Sequence, residues 1–100
     1  MRIELLYFDG CPSWQTGLEN LRAALAEAGI DAPVELVRVD SDEEALRQRF
    51  QGSPTIRVDG RDLFPTGHDN YAMGCRVYQT PEGLRGWPTV EMIRAALAGG

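Results

Sequence analysis

An α/β architecture of order β-α-β-α-β-β-α follows from three features of the chain. Residues 3–8 form an apolar run broken only at Glu4, and Leu5 to Phe8 show no alternation, the pattern of a strand covered on both faces. Trp14, Leu18, Leu21, Leu25 and Ala28 then recur at steps of four and three, one face of a long helix. Val34-Glu35-Leu36-Val37-Arg38-Val39 follows as a second strand, which makes a βαβ unit with parallel strands.

The elements are expected as follows. The first strand spans residues 2–8 and the first helix residues 14–28, ended by Gly29 as a left-handed cap. The second strand spans 34–39. Ser41-Asp42-Glu43-Glu44 is a capping box, and it reads as helix capping rather than as an acidic metal site. Its short helix carries Ala45, Leu46, Arg49 and Phe50 on one face and stops at Gly52. Residues 55–58 and 61–64 form a hairpin around Asp59-Gly60, a strong two-residue turn signal. Residues 65–87 lack a sustained period and read as an irregular insert that packs down, with Cys75-Arg76-Val77-Tyr78 as a short extended piece and residues 79–83 as a turn. Pro88-Thr89 opens a last helix with Val90, Ile93, Ala96 and Leu97 facing inward, and Gly99-Gly100 frays.

The chain of 100 residues is one domain, and 43% hydrophobic content is enough for a core without staples. The net charge of -5, with scattered basic residues, argues against nucleic acid and anionic membrane surfaces as partners. No apolar run reaches the ~20 residues of a membrane span, and no signal peptide is visible. A cytoplasmic setting is expected, where two cysteines are reactive, metal-binding or merely buried rather than a permanent bridge. The oligomeric state is not legible.

The chemistry centres on Tyr7-Phe8-Asp9-Gly10-Cys11-Pro12-Ser13-Trp14. Cys11 falls between a strand and a helix, where the free N–H groups and the helix dipole stabilise a thiolate. Pro12 suits a first helical turn, and Gly10 permits a sharp bend before the thiol. Asp9 opposes the thiolate if it faces Cys11. The second thiol, Cys75, lies in the insert; it reads equally as a resolving or metal-sharing partner of Cys11 and as a small buried residue. Arg76 reads as an anion holder or as a solvated charge. His68 is the only histidine, a base, a third ligand or a plain surface residue.

The element order, a Cys after the first strand and a Pro just before the third resemble the thioredoxin-like superfamily. Tyr-Phe-x-Gly-Cys-Pro is similar to the opening of small thioredoxin-like and glutaredoxin-like proteins. The resemblance covers residues 2–64 and 88–98. It implies a mixed four-stranded sheet flanked by helices, and a cis-proline at Pro54, facing Cys11. Cys11-Pro12-Ser13-Trp14 stands where those relatives carry Cys-Pro-x-Cys, so the local dithiol is absent and a monothiol site remains.

The resemblance implies a thiol redox protein, a possible thiol-disulfide oxidoreductase in class. Cys11 is expected as the more reactive thiol, resolved by Cys75 or an external thiol such as glutathione, with no resident cofactor or metal. Pro12, Trp14, Ser53, Pro54, Thr55 and Arg76 are the expected substrate-binding residues, Ser53 and Thr55 through backbone pairing with an extended thiol or disulfide substrate. Two other classes stay open. One is a non-catalytic binding module that uses the exposed motif face. The other is a soft-metal or organomercurial binder through Cys11 and Cys75.

Overall fold

The computed structural model describes residues 1–67 and 70–99. Four strands, β1 (Ile3–Tyr7), β2 (Val34–Arg38), β3 (Thr55–Val58) and β4 (Arg61–Asp62), form one mixed sheet in the order β2-β1-β3-β4. β1 runs parallel to β2, with Leu5 opposite Leu36, and antiparallel to β3, with Leu5 opposite Ile56. The β3–β4 turn holds Asp59 at φ 52° and Gly60 at φ 83°, the two positive values of a primed hairpin turn. β4 is two residues long rather than the four expected. Among the described residues it pairs with Arg57 and Val58 alone, and the Phe64 N–H turns to Asp62 Oδ1 instead of a ladder.

Three helices cover the sheet. α1 (Trp14–Glu27) and α3 (Val90–Gly99) pack on one face, where Leu18, Leu21, Ala24, Leu25 and Ile93 meet Ile3, Leu5 and Ile56. α2 (Asp42–Gln48) lies with a second cluster of Leu6, Val39, Ala45 and Phe50. The alternation along β1 explains this division. Ile3 and Leu5 point to one layer and Leu6 to the other.

The helix ends follow their sequence signals with some changes. α1 stops in a Schellman motif, with Gly29 N–H to the Ala26 carbonyl and Ile30 N–H to the Leu25 carbonyl. Ala28 is exposed rather than part of the stripe. Ser41 Oγ caps α2 by accepting from the Glu44 N–H at 3.0 Å. That helix ends at Arg49, in the left-handed region at φ 54°, and not at Gly52. Leu46 turns to solvent, 62% exposed, so the inward face of α2 is narrower than its spacing suggested. α3 continues through Gly99 instead of fraying there.

The insert is more ordered than its composition indicates. A second, two-stranded sheet forms from β5 (Tyr78–Thr80) and β6 (Gly83–Arg85) around Pro81-Glu82. From Cys75 to Thr80 exposed and buried residues alternate strictly, with Arg76, Tyr78 and Thr80 inward. His68 and Asp69, in the same insert, lie outside the described residues, as does Gly100. Among the described residues no helix is long and apolar enough to cross a membrane.

Candidate functional site

Ser53 is the point where the two cysteine segments meet. Its peptide bond to Pro54 is cis, as expected. The Cys11 thiol donates to the Ser53 carbonyl at 3.4 Å. The same carbonyl accepts the Arg76 N–H at 3.0 Å, and the Ser53 N–H donates to the Gly74 carbonyl at 2.8 Å. These two bonds make a parallel bridge between Ser53 and Cys75. Ser53 Oγ accepts from the Phe8 N–H at 3.4 Å, which ties in the end of β1. Both cysteines are free, and the bridge at Ser53 sets the Cys75 segment beside the residue whose carbonyl accepts the Cys11 thiol.

The two thiols differ in access. Cys11 is 3% exposed, whereas Cys75 faces solvent. Partial desolvation pushes the Cys75 thiol above its ordinary range; its hydrogen bond to Cys11 and the charge of Cys11 add to this. Cys11 does not sit in the first turn of α1. Ser13 is the N-cap and Trp14 the first helical residue, so Pro12 belongs to an exposed turn ahead of the helix. Asp9 pairs with Arg38 at 3.3 Å across the end of β2, both side chains largely exposed.

Apart from the exposed Pro12, the expected binding residues are taken up by the protein's own packing. The Trp14 ring stacks on Tyr7, centroids 4.1 Å apart. Pro54 is buried against α1 at Gly17, where a Cβ would stand 2.8 Å from the proline Cγ. The Pro54 carbonyl accepts the buried Tyr78 hydroxyl. Thr55 Oγ1 donates to the Gly52 carbonyl and accepts from Arg76 Nη1 at 3.3 Å. The backbone of Ser53, expected to be open to an extended substrate, pairs instead with residues 74–76.

Arg76 is neither solvated nor directed to an anion from outside. Its side chain is buried and ion-paired with Asp62 Oδ2 at 2.8 Å. It also donates to the Phe64 carbonyl, and its guanidinium lies over the Tyr78 ring at 4.9 Å. Ala72 N–H adds a bond to the Phe50 carbonyl at 3.1 Å. Gly52 admits this segment: its φ is +113°, and a Cβ there would meet the Arg76 Cβ at 2.9 Å and its backbone at 3.1 Å.

Asp62, Tyr78 and Gly52 therefore support the site without having been candidates. Gly52 carried a signal, since a Gly directly before Ser-Pro marks a backbone with special needs. Asp62 and Tyr78 carried none, because their roles depend on where the insert returns. No family model, no curated protein and no solved structure matches the chain.

Proposed function

We propose that this is a thioredoxin-like thiol redox protein whose working pair is Cys11 and Cys75. One observation carries the reading: two free cysteines, more than sixty residues apart in sequence, belong to segments that meet at the backbone of Ser53. One sulfur attacks an external disulfide and forms a mixed disulfide, and the second attacks the first and releases the remaining thiol. The internal bridge is then reopened by a small thiol of the glutathione class. A reducing, cytoplasmic compartment would keep such a pair as thiols between turnovers.

The test is mild oxidation of dilute protein with a small disulfide, followed by intact-mass measurement and alkylation. An internal bridge shows as the loss of two hydrogens and of both alkylation sites. Intermolecular products alone would remove the redox reading.

The same pair of sulfurs supports a second reading, capture of a soft metal ion by two thiolates. Titration with copper(I) of the native chain and of Cys75→Ser separates the two. Tight one-to-one binding lost in the variant, with no internal bridge on oxidation, would favour metal capture.

A further inference from the structure

Cys11 is buried, and Ser53, whose carbonyl accepts its thiol, is paired with the segment that carries Cys75. The edge at Ser53 is where an extended disulfide substrate would pair its backbone. Both its N–H and its C=O are already bonded to residues 74–76. That segment is pinned along its length: Ala72 to Phe50, Gly74 and Arg76 to Ser53, the buried Arg76 side chain to Asp62, and Tyr78 to Pro54. A protein substrate has no free backbone there to pair with. The sulfur presented to solvent is Cys75, while Cys11 is buried with its thiol on the Ser53 carbonyl.

From this we infer that, within the redox reading proposed above, Cys75 is the entry thiol and Cys11 the resolving thiol, and that the substrates are small disulfides rather than protein disulfides. This reverses the roles expected from the place of Cys11 between the first strand and the first helix. The Cys75 thiolate attacks one sulfur of a small disulfide, breaks its S–S bond and expels one thiolate, which takes a proton from solvent. Cys11 releases its proton to solvent and attacks Cys75 Sγ. The second small thiolate leaves, and the Cys11–Cys75 bond closes. The protein loses two electrons and two protons, and the small disulfide becomes two thiols. In the reverse direction a small thiol attacks the exposed Cys75 sulfur and Cys11 departs.

Access decides the direction of attack more than ionisation does. The raised Cys75 thiol holds less thiolate at neutral pH than a free cysteine, and its rate is lower for that reason. A covered sulfur reacts only through local opening, which lowers its rate further.

Single-cysteine variants test the order. Cys11→Ser and Cys75→Ser are each treated with dipyridyl disulfide, and the released thione is followed by absorbance. Cys11→Ser is expected to trap one mixed disulfide at Cys75 about tenfold faster or more, as the access difference requires. Native protein is expected to close its bridge with glutathione disulfide, while the reduced form leaves insulin disulfides intact. Equal or faster trapping by Cys75→Ser, with a bridge still forming in native protein, overturns the entry role and leaves the redox reading standing. Insulin reduction at a rate comparable to that with glutathione disulfide overturns the substrate class alone. Failure of the native chain to close any internal bridge overturns both readings.

Discussion

At the scale of single residues, Cys75 and Tyr78 hold protons more tightly in the folded chain than in the unfolded one. For Cys75 the causes are partial desolvation, then the hydrogen bond and charge of Cys11. For Tyr78 burial dominates, Arg76 opposes it and Asp62 adds to it. Alkylation of Cys75 by iodoacetamide should therefore rise with pH to an inflection above the ordinary thiol value of about 8.5. In Cys11→Ser two of the three causes are gone, so the inflection should move part of the way back. An inflection at or below the ordinary value in native protein would contradict the assignment. The same direction governs stability. Both groups are raised, so their contribution is complete below their unfolded pKa values and is lost as pH climbs past them. Melting temperature should fall from about pH 8.5 upward, and more steeply above about pH 10. Tyr78→Phe should abolish the steeper part. At neutral pH it should cost roughly 1–2 kcal/mol, because the Pro54 carbonyl loses its buried donor.

At the scale of elements, one buried side chain ties the insert to the main sheet. The Arg76 N–H bonds to the Ser53 carbonyl and its guanidinium reaches Asp62 at the end of β4. Removing the cation by Arg76→Met leaves Asp62 without its partner, at a cost of about 3 kcal/mol, the low end for a buried pair because the carboxylate keeps some exposure. Urea denaturation checks this, and faster alkylation of Cys11 should accompany it as the cover loosens. Gly52→Ala attacks the same junction from the other side, through a positive φ and a clash with the Arg76 backbone. It should cost about 1–3 kcal/mol and also raise Cys11 reactivity; unchanged stability would show that the close approach carries no weight. These elements also mark what was legible in the chain. The apolar run of β1, the stripe of α1 and the Asp59-Gly60 turn are local patterns, and each element formed where its pattern lay. The shared face assigned to Leu46 failed because a helix as short as α2 touches the core through little more than Ala45. The β5–β6 hairpin was missed although its Pro81-Glu82-Gly83 turn was visible, because its strands are three residues long and alternate around polar Gln79 and Thr80. Ser53 was singled out as a substrate edge. That the chain's own residues 74–76 fill this edge depends on long-range pairing, which local patterns do not encode.

At the scale of the whole molecule, the Cys11–Cys75 pair joins the two halves of the chain. Cys11 follows β1 in the centre of the sheet, and Cys75 belongs to the insert between the sheet and α3. The Ser53 bridge already sets the two segments side by side. In the unfolded chain an S–S bond closes a loop of more than sixty residues. The loss of unfolded-state entropy then stabilises the oxidised form by roughly 4 kcal/mol at most. Oxidation should raise the urea midpoint, and dithiothreitol should return it to the starting value. The Cys75→Ser variant should show neither change. The gain should be smaller if the unfolded chain keeps the two segments near each other, since less freedom remains to be removed. Oxidised protein less stable than reduced protein would mean that the two sulfurs do not meet without distorting the junction of Ser53 with residues 74–76. The pair would then work only as free thiols, and soft-metal capture would become the better account of why they are neighbours.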